Sequence, residues 1–315
     1  MKTRKIVIIG AGHVGSHCGF SLVTQGICDE LVFLDIDRDK AIAQALDLAD
    51  SVAYLPHHVV VRAGGYEELS DAEIIVMAAG TQPDEQKTRV AFMGDTIQAA
   101  KTLVGPVKDS GFSGILISIS NPADVVAHYF QEKTGLPAGH VLSTSTALDS
   151  ARLRRVLSER IGFDQKSIHA YVMGEHGESQ MVPWSNVSIA GVPLPDLRKK
   201  YPDTYGKLDL NAVAQEAQKG GWVVLHGKKS TEFGIGTACA EIIKTIFHDE
   251  KKILPVSCLL EEQYGQRDIY ASVPAVLGAD GAERIVEISL TPEEREKFAA
   301  SCEDMRKNYE LALNL

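Results

Sequence analysis

The sequence predicts an α/β protein, a doubly wound parallel sheet followed by an α+β region, and two observations carry that prediction. Up to about Thr146 one unit recurs: a short apolar run, a glycine or polar turn, then a helical stretch. After Thr146 the pattern changes to hairpin-like segments, long helices and one alternating run. Strands that alternate with helices cross over to lie parallel, whereas hairpins make antiparallel pairs.

The strand candidates follow in order as "KIVIIG", "ELVFLD", "HVVVRA", "EIIVMAAG", "GILISIS" and "HVLSTS". Each is a short, near-continuous apolar run, the pattern of a strand buried on both faces. Past Thr146 come a helix over Leu148–Ile161 and two hairpin-like segments, "SIHAYVMG" and "VPWSNVSIAGVPL". Helical stretches over Leu210–Leu225 and Ser230–His248 follow, then an alternating run that turns at Ala279-Asp280-Gly281. The last helix has a legible start, with Thr291 as N-cap, Pro292 at the first position and Glu294 completing a capping box. Phe298, Cys302, Met305 and Tyr309 then recur at spacings of three and four, a stripe that should dock on the core.

At 315 residues the chain exceeds the usual size of one domain, and the change of character divides it into 1–146 and 147–315 across a packed junction. With 44% hydrophobic and 23% charged residues the composition is globular. No apolar run reaches the roughly 18 residues that span a bilayer. A formal net charge of −10 argues against nucleic acid or an anionic membrane as partner. The five cysteines are odd in number and scattered, which fits a reducing, cytoplasmic setting. No metal is expected, because HExxH is absent and His57-His58 has no third ligand nearby in sequence.

"GAGHVG" places Gly10, Gly12 and Gly15, with Val14, directly after the first strand and before a helix. Such glycines allow a tight turn, close approach of a pyrophosphate and close helix packing, with the phosphates at the helix N-terminus. Asp35 follows twenty residues after Gly15 at the end of "LVFLD", where its carboxylate would bond a ribose and repel a 2′-phosphate. NAD is therefore expected over NADP. "STALDSARLRR" sets Asp149 and Arg152 one helical turn apart, which reads equally as an i,i+3 ion pair or as an imidazole partner beside a carboxylate-binding fork. His176 stands 27 residues beyond Asp149 in "GEHGES", flanked by residues that contribute little packing. "AAGTQPDEQKTRVAF" follows the fourth strand, at the sheet's carboxyl end where ligands of such folds bind, with Ala79 and Gly80 at its root and Arg89 at its far end. It reads either as a lid that excludes water or as a solvated loop. Asn121 of "ISNPAD" follows the fifth strand, a turn residue or a polar group in the site.

Together "GAGHVG", "ISNPAD", "LDSARLR" and "GEHGES" resemble the L-lactate and malate dehydrogenase family, in the right order and over essentially the whole chain. The resemblance implies a Rossmann NAD-binding domain followed by a catalytic domain. It implies that His176 exchanges the proton, Asp149 holds and charges it, Arg152 binds the substrate carboxylate, Arg89 polarises the carbonyl, and Asn121 hydrogen-bonds in the site. In that family one loop position separates the substrates, glutamine for lactate and arginine for malate. Here it is Pro83, preceded by Gln82. A second substrate carboxylate would be left without its partner at a cost of about 3 to 5 kcal/mol, which disfavours malate. Lys87 is the one nearby substitute. Thr231 matches a threonine that the family's lactate enzymes carry on a late helix beside the substrate methyl, with Lys229 where glycine is common. The expectation is an L-lactate dehydrogenase acting on pyruvate, with a broader L-2-hydroxyisocaproate type as the alternative. A catalytically dead NAD-binding sensor is the reading from another class, and the presence of Asp149, Arg152, His176 and Arg89 weighs against it. By resemblance alone, Arg154 and His169 match residues that bind fructose 1,6-bisphosphate at a subunit interface, which would go with a homotetramer rather than a homodimer.

Overall fold

The computed structural model describes residues 3–80 and 89–315, the side chains of 89–92 excepted. The first half alternates β1 (Lys5–Ile9), α1 (His13–Thr24), β2 (Glu30–Leu34), α2 (Arg38–Val52), β3 (Val60–Ala63), β4 (Ile74–Met77), α3 (Arg89–Asp109), β5 (Ile115–Ser118), α4 (Ala123–Thr134) and β6 (Val141–Ser143). The second half holds α5 (Ala147–Ile161), the short strands β7 (Ile168–His169), β8 (Ser188–Ile189) and β9 (Val192–Pro193), and α6 (Leu194–Lys200). It continues with α7 (Leu210–Lys228), α8 (Phe233–Phe247), β10 (Lys252–Leu260), β11 (Ile269–Gly278), β12 (Gly281–Ile285) and α9 (Pro292–Asn314).

All six predicted strands of the first half form, and they pair in parallel in the order β6-β5-β4-β1-β2-β3. That order reverses direction between β1 and β4, and the crevice at such a switch point is where these sheets bind ligands. Local chemistry sets the helix ends. Asp37 caps α2 by accepting the Lys40 N–H, and α4 and α5 stop at Gly135 and Gly162, both left-handed. The capping box of Thr291 and Glu294 is formed, and Phe298, Cys302, Met305 and Tyr309 are all buried.

Three elements depart from the sequence pattern. β3, expected to be buried on both faces, is the edge strand of the sheet and is exposed or half-buried along its length. β10 carries a proline in its middle, a signal against a central strand, yet it pairs along its whole length with β11. Pro255 lies opposite Pro274, a match that only a non-hydrogen-bonded position of the ladder allows, since neither residue has an N–H. β11, whose alternation suggests one solvated face, is buried along all ten residues because α8 covers one side and α4 and α9 the other. Through β10, which meets β6 at Ser257 and Ser143, the antiparallel strands extend the parallel sheet, so nine strands among the described residues form one sheet. One core cluster accordingly draws on Ile6 and Leu31 as well as Val256 and Phe298. No helix among the described residues is long and apolar enough to cross a membrane, and the five cysteines are buried and free.

Candidate active site

β1 runs directly into Gly10, whose φ of +106° suits glycine and whose Cβ would lie 2.6 Å from the Ala78 carbonyl carbon. A Cβ on Gly15 would stand 1.9 Å from the Gly10 oxygen, so α1 packs against the loop only because that position is bare. Gly12 differs from both. Its backbone is ordinary, with φ −75° and ψ −173°, and the nearest group to its missing Cβ is the Lys40 Nζ at 3.8 Å. Nothing in the fold itself requires glycine there. The space it leaves open lies at the N-terminus of α1, where no side chain caps the free N–H groups. Asp35 ends β2 beside this loop, with one carboxylate oxygen accepting the Ala11 N–H at 2.7 Å and the other accepting the Asp37 N–H at 3.0 Å. Val14 packs on the core beneath, and Ala79 and Gly80 continue from β4. These residues fit a dinucleotide: a cradle for an anion at Gly12 and α1, and a carboxylate for a ribose at Asp35.

The acid, the imidazole and the fork come together. Asp149 sits in the first turn of α5, 2% exposed, and its Oδ2 lies 2.5 Å from His176 Nδ1 while its Oδ1 accepts from Arg152 Nη1 at 3.0 Å. Asp149 thus makes the i,i+3 pair with Arg152 and contacts the imidazole at the same time. Burial opposes the Asp149 charge, but attraction to His176 and the bonds from His176 and Arg152 hold its carboxyl below the usual range. Attraction to Asp149 raises the His176 imidazole above its ordinary value against the effect of burial, and Asp124 adds to the rise while Arg152 subtracts. With Nδ1 committed to Asp149, Nε2 is the nitrogen left for exchange of a proton.

Several residues that hold this arrangement carry no obvious signal of their role in the sequence. The segment before His176 is tied to β11 by two bonds between Gly174 and Ser272, each 3.0 Å. The Glu175 N–H donates to Ser301 Oγ of α9 at 2.9 Å, and Gln218 Nε2 of α7 donates to the Gly177 and Glu178 carbonyls at 3.1 and 2.9 Å. The Arg152 guanidinium lies against Gly220 and Gly221, where a Cβ on Gly221 would be 3.3 Å from both terminal nitrogens. That pair was findable: two adjacent glycines inside a helix cost about 1 kcal/mol each against alanine, which signals a close approach.

Other expected positions are less directly engaged. Asn121 is exposed on the turn between β5 and α4, joined to Pro122 by a cis peptide bond. Thr231 lies in the connection between α7 and α8 and not on a helix, because α8 begins only at Phe233, later than the sequence suggests. Lys229 ends α7 in the left-handed region at φ +68°, the conformation that makes glycine common there. Arg89 begins α3, but its side chain, like Gln82 and Pro83, lies outside the described residues. Arg154 is half-buried near the Tyr171 hydroxyl, and His169 is exposed on β7. Among the described residues no cluster suited to a metal ion occurs.

Comparison with known proteins matches residues 4–143 to the NAD-binding domain of lactate/malate dehydrogenases and residues 146–315 to their alpha/beta C-terminal domain. An L-lactate dehydrogenase of Fusobacterium nucleatum is 40% identical over 311 residues, covering 99% of this chain and 98% of that protein. L-lactate dehydrogenase 3 of Bacillus cereus is 40% identical over 98% of this chain and 97% of its own. Among solved structures, a lactate dehydrogenase from a deep-sea metagenome library superposes with a TM-score of 0.95 at 36% identity, covering 99% of each chain. The minor L-lactate dehydrogenase of Enterococcus mundtii in its ligand-bound form reaches 0.94 at 33% identity, covering 98% of each. A glycine cradle at the switch point, a carboxylate that grips both an imidazole and a guanidinium, and full-length likeness on both halves agree: the chain belongs to the lactate/malate dehydrogenase family of NAD-dependent oxidoreductases.

Proposed function

We propose that this protein is an L-lactate dehydrogenase that interconverts pyruvate and L-lactate, with residues 1–146 binding NAD and 147–315 carrying the reacting groups. The observation that carries the reading is the bifurcated Asp149, bonded at 2.5 Å to His176 and at 3.0 Å to Arg152. NAD supplies hydride transfer to and from the carbonyl carbon. Arg152, its Nη1 fixed by Asp149, offers the rest of its planar fork to the substrate carboxylate, a bidentate match that lysine lacks. His176, whose protonated form Asp149 favours, gives its Nε2 proton to the carbonyl oxygen in reduction and takes it back in oxidation. Arg89, Asn121 and Thr231 complete the pocket, with Arg89 polarising the carbonyl. The full-length likeness to proteins named L-lactate dehydrogenase supports pyruvate as the substrate.

Pro83 favours one second reading. A proline in the specificity loop offers no side-chain hydrogen bond, which suits a bulkier 2-oxo acid of the 2-oxoisocaproate kind. Arg154, half-buried and without a carboxylate partner among the described residues, supports a phosphate site with His169, and with it a tetramer that responds to fructose 1,6-bisphosphate. The deciding experiment measures NADH oxidation with pyruvate, oxaloacetate and 2-oxoisocaproate, each with and without the bisphosphate. Pyruvate foremost by kcat/KM is the expected outcome. Preference for 2-oxoisocaproate would replace it with the second reading, and no response to the bisphosphate would remove the effector site.

A further inference from the structure

We propose that Asp124 is a positioning residue for His176: its buried carboxylate grips the His176 main chain and sets a second fixed negative charge near the imidazole, in addition to Asp149. The inference rests on His176 being the acid–base group. Asp124 is the second residue of α4, in the "ISNPAD" stretch whose asparagine alone was given a role above. It is 3% exposed, and its Oδ2 accepts the His176 N–H at 2.9 Å. Its Oδ1 faces the Ser145 and Ser257 hydroxyls without a well-formed hydrogen bond to either, and among the described residues these hydroxyls have no other partner.

Holding one backbone N–H and facing two hydroxyls is work that a neutral asparagine does as well as an aspartate. What only aspartate supplies is charge. Burial pushes the Asp124 carboxyl above its ordinary value in spite of the His176 N–H and the two hydroxyls. A carboxyl whose folded value exceeds its unfolded one contributes stability at low pH and loses it as pH rises, so ionising Asp124 works against the fold. A charge kept at such a cost, against the very residue that moves the proton, points to function. Among the described residues, the charged groups that act on His176 are Asp149 and Arg152 from α5 and Asp124 from α4. Cys302 of α9 also interacts with Asp124, and burial pushes its thiol up to about 12, which keeps it neutral.

The test is Asp124→Asn, with Asp124→Ser as the variant too short to reach the His176 N–H. In the NADH complex of ¹³C-histidine-labelled enzyme, the His176 resonance, assigned by its loss in His176→Gln, is titrated by NMR. In Asp124→Asn its midpoint is expected to fall by about one pH unit. The pH above which kcat/KM for pyruvate declines should fall with it, while Tm at pH 7 is not lowered. Asp124→Ser is expected to lose roughly 10²-fold in kcat through misplacement of the imidazole, with NADH affinity unchanged. An unshifted midpoint overturns the proposal, as does a lower Tm in Asp124→Asn, which would make Asp124 a folding residue. Should the wild type reduce no 2-oxo acid, the reading of the reaction fails, and the His176 titration still decides the role of Asp124.

Discussion

Replacing Asp149 with asparagine removes one charge and almost no volume. The carboxylate is 2.5 Å from His176 Nδ1 and 2% exposed, so its charge acts with little screening. With charge centres about 4 Å apart and an effective dielectric near 20, the attraction is about 4 kcal/mol. His176 retains 27% side-chain exposure and Arg152 shares the same carboxylate, so roughly half of that, ~2 kcal/mol, is the expected loss. This lowers the His176 midpoint by about 1.5 pH units and makes the protonated imidazole roughly 30-fold scarcer at pH values above it. An amide that turns its NH₂ toward Nδ1 also selects the wrong tautomer, so the total loss in kcat/KM for pyruvate at pH 7 is expected to reach about 10²-fold or more. Steady-state rates of NADH oxidation between pH 5 and 9, with NADH affinity followed by fluorescence, measure it. A variant within threefold of wild type across that range would refute the assignment of Asp149 as the group that charges His176.

Gly12→Ala should leave Tm unchanged and weaken NADH binding at least tenfold, because the backbone there is ordinary and only a ligand needs the space. Gly10→Ala, at φ +106° against the Ala78 carbonyl carbon, should instead lower Tm, so thermal melts and NADH titrations of the pair separate the two causes. Gly221→Ala puts a methyl 3.3 Å from the Arg152 fork and is expected to raise the KM for pyruvate with kcat and NADH affinity little changed; an unaltered KM would remove Arg152 from substrate binding. The Asp149–His176 pair should also bound stability on both sides. The lowered Asp149 value makes its contribution vanish as pH falls through it, below the ordinary carboxylate range, and the raised His176 value makes its own vanish as pH rises through it, above the ordinary imidazole range. Denaturant melts of wild type and Asp149→Asn across pH should therefore differ most between those limits and converge outside them.

The centre of the parallel half was legible because β1, β4 and β5 are near-continuous apolar runs, and burial on both faces writes itself directly into composition. β10 was not, because Pro255 masks it and its pairing depends on another proline 19 residues away along the chain. The end of the α7 helix and the late start of α8 turned on Lys229 adopting a left-handed conformation that its residue type does not announce. The grouping of Asp149, Arg152 and His176 rested on motif resemblance. Its contact geometry depends on tertiary ties from Ser272, Ser301 and Gln218, which lie up to 125 residues from His176, and no local pattern encodes such distances.

The match of two family domains to residues 4–143 and 146–315 invites cutting the chain between them, and the sheet argues against it. β6 is an interior strand only because β10 pairs along its outer edge, and α4 is covered by α9 and β11. A fragment ending near residue 146 would carry Val141–Ser143 as a bare edge beside a stripped apolar helix, a template for sticking to its own copies. An isolated nucleotide-binding module made this way should precipitate, and the intact chain should melt in one calorimetric step.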